Sequence, residues 1–78
     1  MRQLKLIWDF RGPTSKKTAE HHLTHLQDYI KNNNLNITLT GTEIYSDMHS
    51  IAFLVVWESE MIPIRDALKP HRGQVYQD

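Results

Sequence analysis

The stretch Ser50-Ile51-Ala52-Phe53-Leu54-Val55-Val56-Trp57 places seven apolar residues in a row behind a single serine. It falls far short of the roughly 20 apolar residues that a membrane-spanning helix needs. Its β-branched and aromatic content fits a buried strand. Successive side chains of a strand point to opposite faces, so Ile51, Phe53, Val55 and Trp57 share one side and Ala52, Leu54 and Val56 the other. Both sides are apolar, so this strand belongs inside a sheet whose two faces both need cover.

Just before this strand, Asp47-Met48-His49 is short and polar enough for a hairpin turn. Before it, residues 36–46 are rich in threonine and β-branched side chains, with Ile37 and Leu39 in phase. Gly41 interrupts that run and Ile44 falls out of phase, which predicts a bulge near Gly41. At the start of the chain, residues 3–11 alternate as a first strand. Leu4, Leu6, Trp8 and Phe10 lie on one face, and Lys5, Ile7, Asp9 and Arg11 on the other. Gly12-Pro13 ends it, and Thr14 and Ser15 are good helix caps.

Residues 15–33 then adopt helical periodicity, with Ala19, Leu23, Leu26 and Ile30 forming one buried stripe. Three asparagines at 32–34 supply the stop. After the apolar strand, Ser59 opens a second helix over residues 60–69 that buries Met61, Ile64 and Leu68, with Pro63 tolerable only in its first turn. Pro70 and Gly73 end this helix, leaving room for a short last strand over residues 74–76.

The order β-α-β-β-α with a short final strand predicts an α+β two-layer sandwich, with helices on one face of an antiparallel sheet. Its opening strand KLIWDFRGP and its apolar third strand resemble the ferredoxin-like fold, and more particularly the small bacterial domains of the dimeric α+β barrel superfamily. The resemblance spans nearly the whole chain and lies in pattern and element order. It implies a face-to-face homodimer and carries no specific activity. The second helix and last strand are shorter than that superfamily usually shows, which bears on closure of a barrel.

With 78 residues, the chain is long enough for one domain and too short for two. Nine basic side chains balance nine acidic ones, which argues against a nucleic-acid-gripping surface. The aromatics of an RNA-recognition motif are also missing. No cysteine is present, which excludes a disulfide framework, a thiolate nucleophile and a cysteine-ligated metal. The N-terminus lacks a signal-peptide pattern, so a cytoplasmic location is expected, with neither membrane association nor a cofactor. Charge is uneven: residues 1–35 hold six positive and three negative side chains, and residues 36–78 the reverse.

Self-association is the main functional expectation. Two helices cover one sheet face, a domain this small has little core to spare, and a second copy is the simplest cover for the other face. The alternative is a half-exposed face, and Thr38, Thr40, Lys5 and Asp9 on neighbouring strands speak for it. As a second class of function, Trp8, Phe10 and Trp57 are candidates to wall a pocket for a small-molecule ligand. His22, beside the buried helix stripe, and His49, at the hairpin turn, are then the acid–base candidates. His71-Arg72 follows the second helix and is expected near the same end of the sheet.

Two further features carry chemistry. Arg11, Gly12, Ser15, Lys16 and Lys17 surround a helix N-terminus, a place where backbone N–H groups can hold an anion. The fold resembles acylphosphatase, which uses the equivalent turn, but that family's glycine-rich motif is missing here. An ordinary capped helix with solvated lysines explains the same residues. His21 and His25 stand four apart on one helix face, a spacing that can clamp a metal ion. They supply two ligands where zinc sites usually take three or four, so two solvated histidines is the simpler expectation and no structural metal is assigned.

Overall fold

The computed structural model describes residues 2–37 and 39–76. In chain order the elements are β1 Gln3–Arg11, α1 Ser15–Asn32, β2 Leu39–Ser46, β3 His49–Trp57, a single 3-10 turn Glu58–Glu60, α2 Met61–Leu68 and β4 Arg72–Tyr76. The strands form one antiparallel sheet in the order β2-β3-β1-β4. The fold is therefore α+β, with two helices and a four-stranded antiparallel sheet. No described helix is long and apolar enough to cross a membrane.

The two-faced strand takes an interior place, and its alternation divides the core. Ala52, Leu54 and Val56 join Leu6 and Trp8 of β1, Leu26 of α1 and Ile64 of α2 in the layer between sheet and helices. Ile51, Phe53 and Val55 join Ile7 on the opposite, helix-free face. Pairing of Leu6 with Leu54 and of Ile7 with Phe53 keeps the two sets in phase across the central strands. Pro63 lies in the first turn of α2, where its missing N–H costs no helical hydrogen bond.

Several details differ from the sequence expectation. The second strand begins at Leu39; Ile37 instead packs against the helix-side core from the preceding loop, and Thr38 lies outside the described residues. Gly41 stays in register with Phe53, and the irregularity falls between Ile44 and Ser46. Glycine leaves room at 41: a Cβ there would meet the Phe53 ring at 3.2 Å, and the ring would have to give by a few tenths of an ångström. Gly73 does not end α2. It pairs with Leu6 inside β4, which starts at Arg72, and α2 ends through Lys69 in the left-handed conformation. On α1, Ser15, Ala19 and Leu26 are buried, and His22 takes the stripe position against the sheet that the sequence had given to Leu23.

Candidate functional site

The helix-free face brings together the polar side chains that no sequence motif linked. Alternation sets Lys5, Ile7 and Asp9 of β1 beside Ile51, Phe53 and Val55 of β3, with Glu43 of β2 on one side and Arg72 of β4 on the other. His49 opens β3 and lies outside the turn, which is only Asp47-Met48. From there its Nε2 reaches Asp9 Oδ1 at 2.8 Å. Arg72 donates to the same carboxylate twice, Nε to Oδ2 at 2.9 Å and Nη2 to Oδ1 at 3.2 Å. This bidentate grip is the strong form of an arginine–carboxylate contact.

The electrostatics follow from that geometry. The Arg72 hydrogen bond, aided by His49 and opposed by partial burial, lowers the Asp9 carboxyl to about 2. Asp9 in turn raises Arg72 above its ordinary value, with a smaller contribution from Tyr45. Tyr45 stands edge-on to His49, ring centres 5.0 Å apart. Beside this network, Lys5 crosses the Phe53 ring with its Nζ 4.4 Å from the ring centre and donates to Glu43 Oε1 at 2.7 Å. The apolar centre of the face thus lies under salt-linked side chains. Although no helix covers them, the side chains of Lys5, His49 and Asp9 are only 12%, 16% and 18% exposed.

The proposed aromatic pocket does not assemble. Trp8 is buried on the helix side and donates its indole N–H to the Leu68 carbonyl at 3.0 Å, tying down the end of α2. Phe10 lies on the same side, whereas strand alternation puts Trp57 with Val55 on the opposite face. The space between Trp8 and Phe10 is filled by His22, with ring centres 5.1 and 5.4 Å away. Burial lowers the His22 pKa, helped by the charges of His25, His71 and His21, and its Nε2 is buried without a hydrogen-bond partner. His22 and His49 therefore serve different sides of the sheet. Concavities lie elsewhere: a groove of about 390 Å³ lined by Leu4, Leu6, Met61, Pro70 and Val75, and a shallower one between α1 and β2.

At the β1–α1 turn, some of the candidate anion donors are already engaged. The Gly12 N–H donates to Met48 O at 2.8 Å, and the Ser15 N–H to Gly12 O at 3.1 Å. Ser15 is buried, with its hydroxyl 3.4 Å from that of Ser50, while Arg11, Lys16 and Lys17 are exposed. Gly12 adopts φ +109°, which accounts for glycine at this corner. His71 is drawn in from the α2–β4 connection, where its Nδ1 accepts the Asp9 backbone N–H at 2.9 Å.

Asp9 and Tyr45 were not candidates on sequence. A lone acid on an interior strand, beside Ile7, is the signal that marks Asp9, because a charge there requires partners. Tyr45 had no such signal, since its place depends on the irregularity at the end of β2. Compared with known proteins, the chain matches no family model, no curated protein and no solved structure.

Proposed function

We propose that the chain is a ferredoxin-like binding and assembly module that pairs with a second copy of itself through the helix-free sheet face. The antiparallel order β2-β3-β1-β4, with helices packed on one side only, supports the ferredoxin-like assignment. The observation that carries the assembly reading is the state of the charges on the open face. Lys5, Asp9 and His49 are already largely withdrawn from water and paired within one chain, so docking adds little desolvation cost.

The face also suits an isologous contact. Lys5, Arg72 and His49 alternate with Glu43 and Asp9, so the face carries both signs side by side and offers charge complementarity to a copy of itself. Leu39 and Tyr45, 42% and 51% exposed, supply apolar area at its rim. Sedimentation velocity across a concentration series tests the reading. The expected result is a reversible dimer that weakens in Leu39→Glu, while the far-UV spectrum of that variant stays unchanged and its Tm matches the wild type at dilutions where both are single chains. Single chains at millimolar concentration overturn it.

A second reading is favoured by the 2.8 Å contact between Asp9 and His49. A carboxylate that fixes an imidazole is a common orienting device for a general base, and a second copy would shield this pair from water. In that case the module acts on a small molecule held between the two sheets. A fragment screen followed by NMR should then find ligands that shift His49 and Tyr45 in the wild type and not in His49→Gln. Shifts confined to the α2–β4 groove remove this reading and leave the first intact.

A further inference from the structure

We propose that His21 and His25 form a two-imidazole site for one borderline divalent cation, with Cu²⁺ held more tightly than Ni²⁺ or Zn²⁺. The two residues occupy the interior of the 18-residue helix α1, one turn apart and both exposed. Their Nε2 atoms are 3.0 Å apart and their rings stand edge to face, centres 4.6 Å apart at 82°. The helix backbone therefore brings the two donor atoms together, and neither needs to leave a buried position to meet a metal.

The separation also suits chelation. With metal–nitrogen bonds of about 2.1 Å, two ligands at right angles stand about 3.0 Å apart, whereas tetrahedral ligands stand about 3.4 Å apart. A small rotation of one exposed ring reaches either span from the present 3.0 Å contact, so the preference among ions follows the usual order of divalent affinities, with Cu²⁺ first.

At present one imidazole donates a proton to the other across that 3.0 Å contact. Chelation needs one ring to turn and that proton to move to the ring's own Nδ1, which leaves both Nε2 lone pairs for the metal with no net loss of a proton. Among the described residues, no group of three or more histidine, cysteine or acidic side chains is placed to hold a metal. The remaining coordination positions therefore go to water or to an added ligand. His22, the adjacent histidine, is turned toward Trp8 and Phe10 and takes no part. The site lies on the outer face of α1, away from the open sheet face, and does not depend on the function proposed above.

Titration of the full chain with CuCl₂, NiCl₂ and ZnCl₂, read by calorimetry and by paramagnetic broadening of assigned amide signals, tests the site. The expected result is one ion per chain, broadening centred on residues 21–25, and affinity that falls at least about tenfold in either His21→Ala or His25→Ala, because linked donors gain from their effective concentration. Both positions are exposed, and the circular dichroism spectra of the variants provide the folding check. Asp66→Asn, on the exposed surface of α2, is expected to leave affinity unchanged. Equal binding by wild type and His25→Ala, broadening centred elsewhere, or no binding at millimolar ion overturns the proposal.

Discussion

The two faces of the sheet bury comparable aliphatic stripes by different chemistry. On the helix side, Leu54 and its neighbours are enclosed by apolar side chains from α1 and α2. On the other side, Ile7, Ile51 and Val55 are as deeply buried, yet the side chains above them are charged and linked in pairs. A small chain with two helices has one apolar layer to offer, and it closes the second face with lysine, arginine and histidine stems whose heads neutralise acids. Equal burial thus answers to unequal stresses. The helix side should respond to lost volume, and the open side to pH and salt.

Lost volume gives the largest effect. Leu54→Ala is expected to cost about 3 kcal/mol, since Leu54 is fully enclosed in the helix-side cluster. Chemical denaturation would measure this, and a cost below about 1 kcal/mol would break the contrast between the faces. Asp9→Asn comes next, at about 2 kcal/mol, because it weakens the charged hydrogen bonds to Arg72 and His49. The pH dependence separates this loss from a packing defect. The folded-state Asp9 carboxyl titrates near 2, below its ordinary 3.8, so its stabilisation is complete above about pH 4 and fades as pH falls toward 2. Denaturation midpoints measured from pH 5 to pH 2 should fall more steeply for the wild type than for Asp9→Asn.

His22 puts a polar weak point in the helix-side layer. Its pKa lies below the ordinary 6.5, so its neutral form supports the fold above that pH and the support is lost as pH falls through 6.5 toward the folded value. Replacement by leucine removes a buried nitrogen without a partner and is expected to stabilise the chain by about 1 kcal/mol. Midpoints compared at pH 7 and pH 5 should show a smaller acid loss for His22→Leu than for the wild type. An unchanged acid loss would mean that the imidazole is solvated where it stands.

How much of this could be read from the chain depends on whether a feature is periodic or relational. The two-sided pattern of residues 51–57 and the helical repeat through Ala19, Leu23, Leu26 and Ile30 are local, and both elements form where they are expected, although His22 rather than Leu23 faces the sheet. Gly41 was misread because a glycine inside a strand signals either a bulge or a close approach, and only the facing Phe53 ring decides which. Gly73 was misread for a similar reason, since β4 is fixed by pairing with β1 and has little pattern of its own. At the candidate site, His49 was legible as a residue but not as a partner of Asp9, 40 positions away. Arg72 likewise reaches Asp9 across a change of strand that no spacing rule encodes.

The smallest effect isolates the salt-linked cover itself. Lys5→Met keeps an apolar stem over Phe53 and removes the ammonium that reaches Glu43. Because Glu43 remains well exposed, the loss should be under about 1 kcal/mol in low salt, as for other pairs with one solvated member. The wild type should lose part of this advantage as ionic strength rises, since added ions screen the exposed end of the pair. A series of Tm values from low to molar salt should therefore converge for the two proteins. If the gap instead stays constant, the ammonium acts through its packing on the Phe53 ring rather than through Glu43, and the open face is held more like the helix side than its charges suggest.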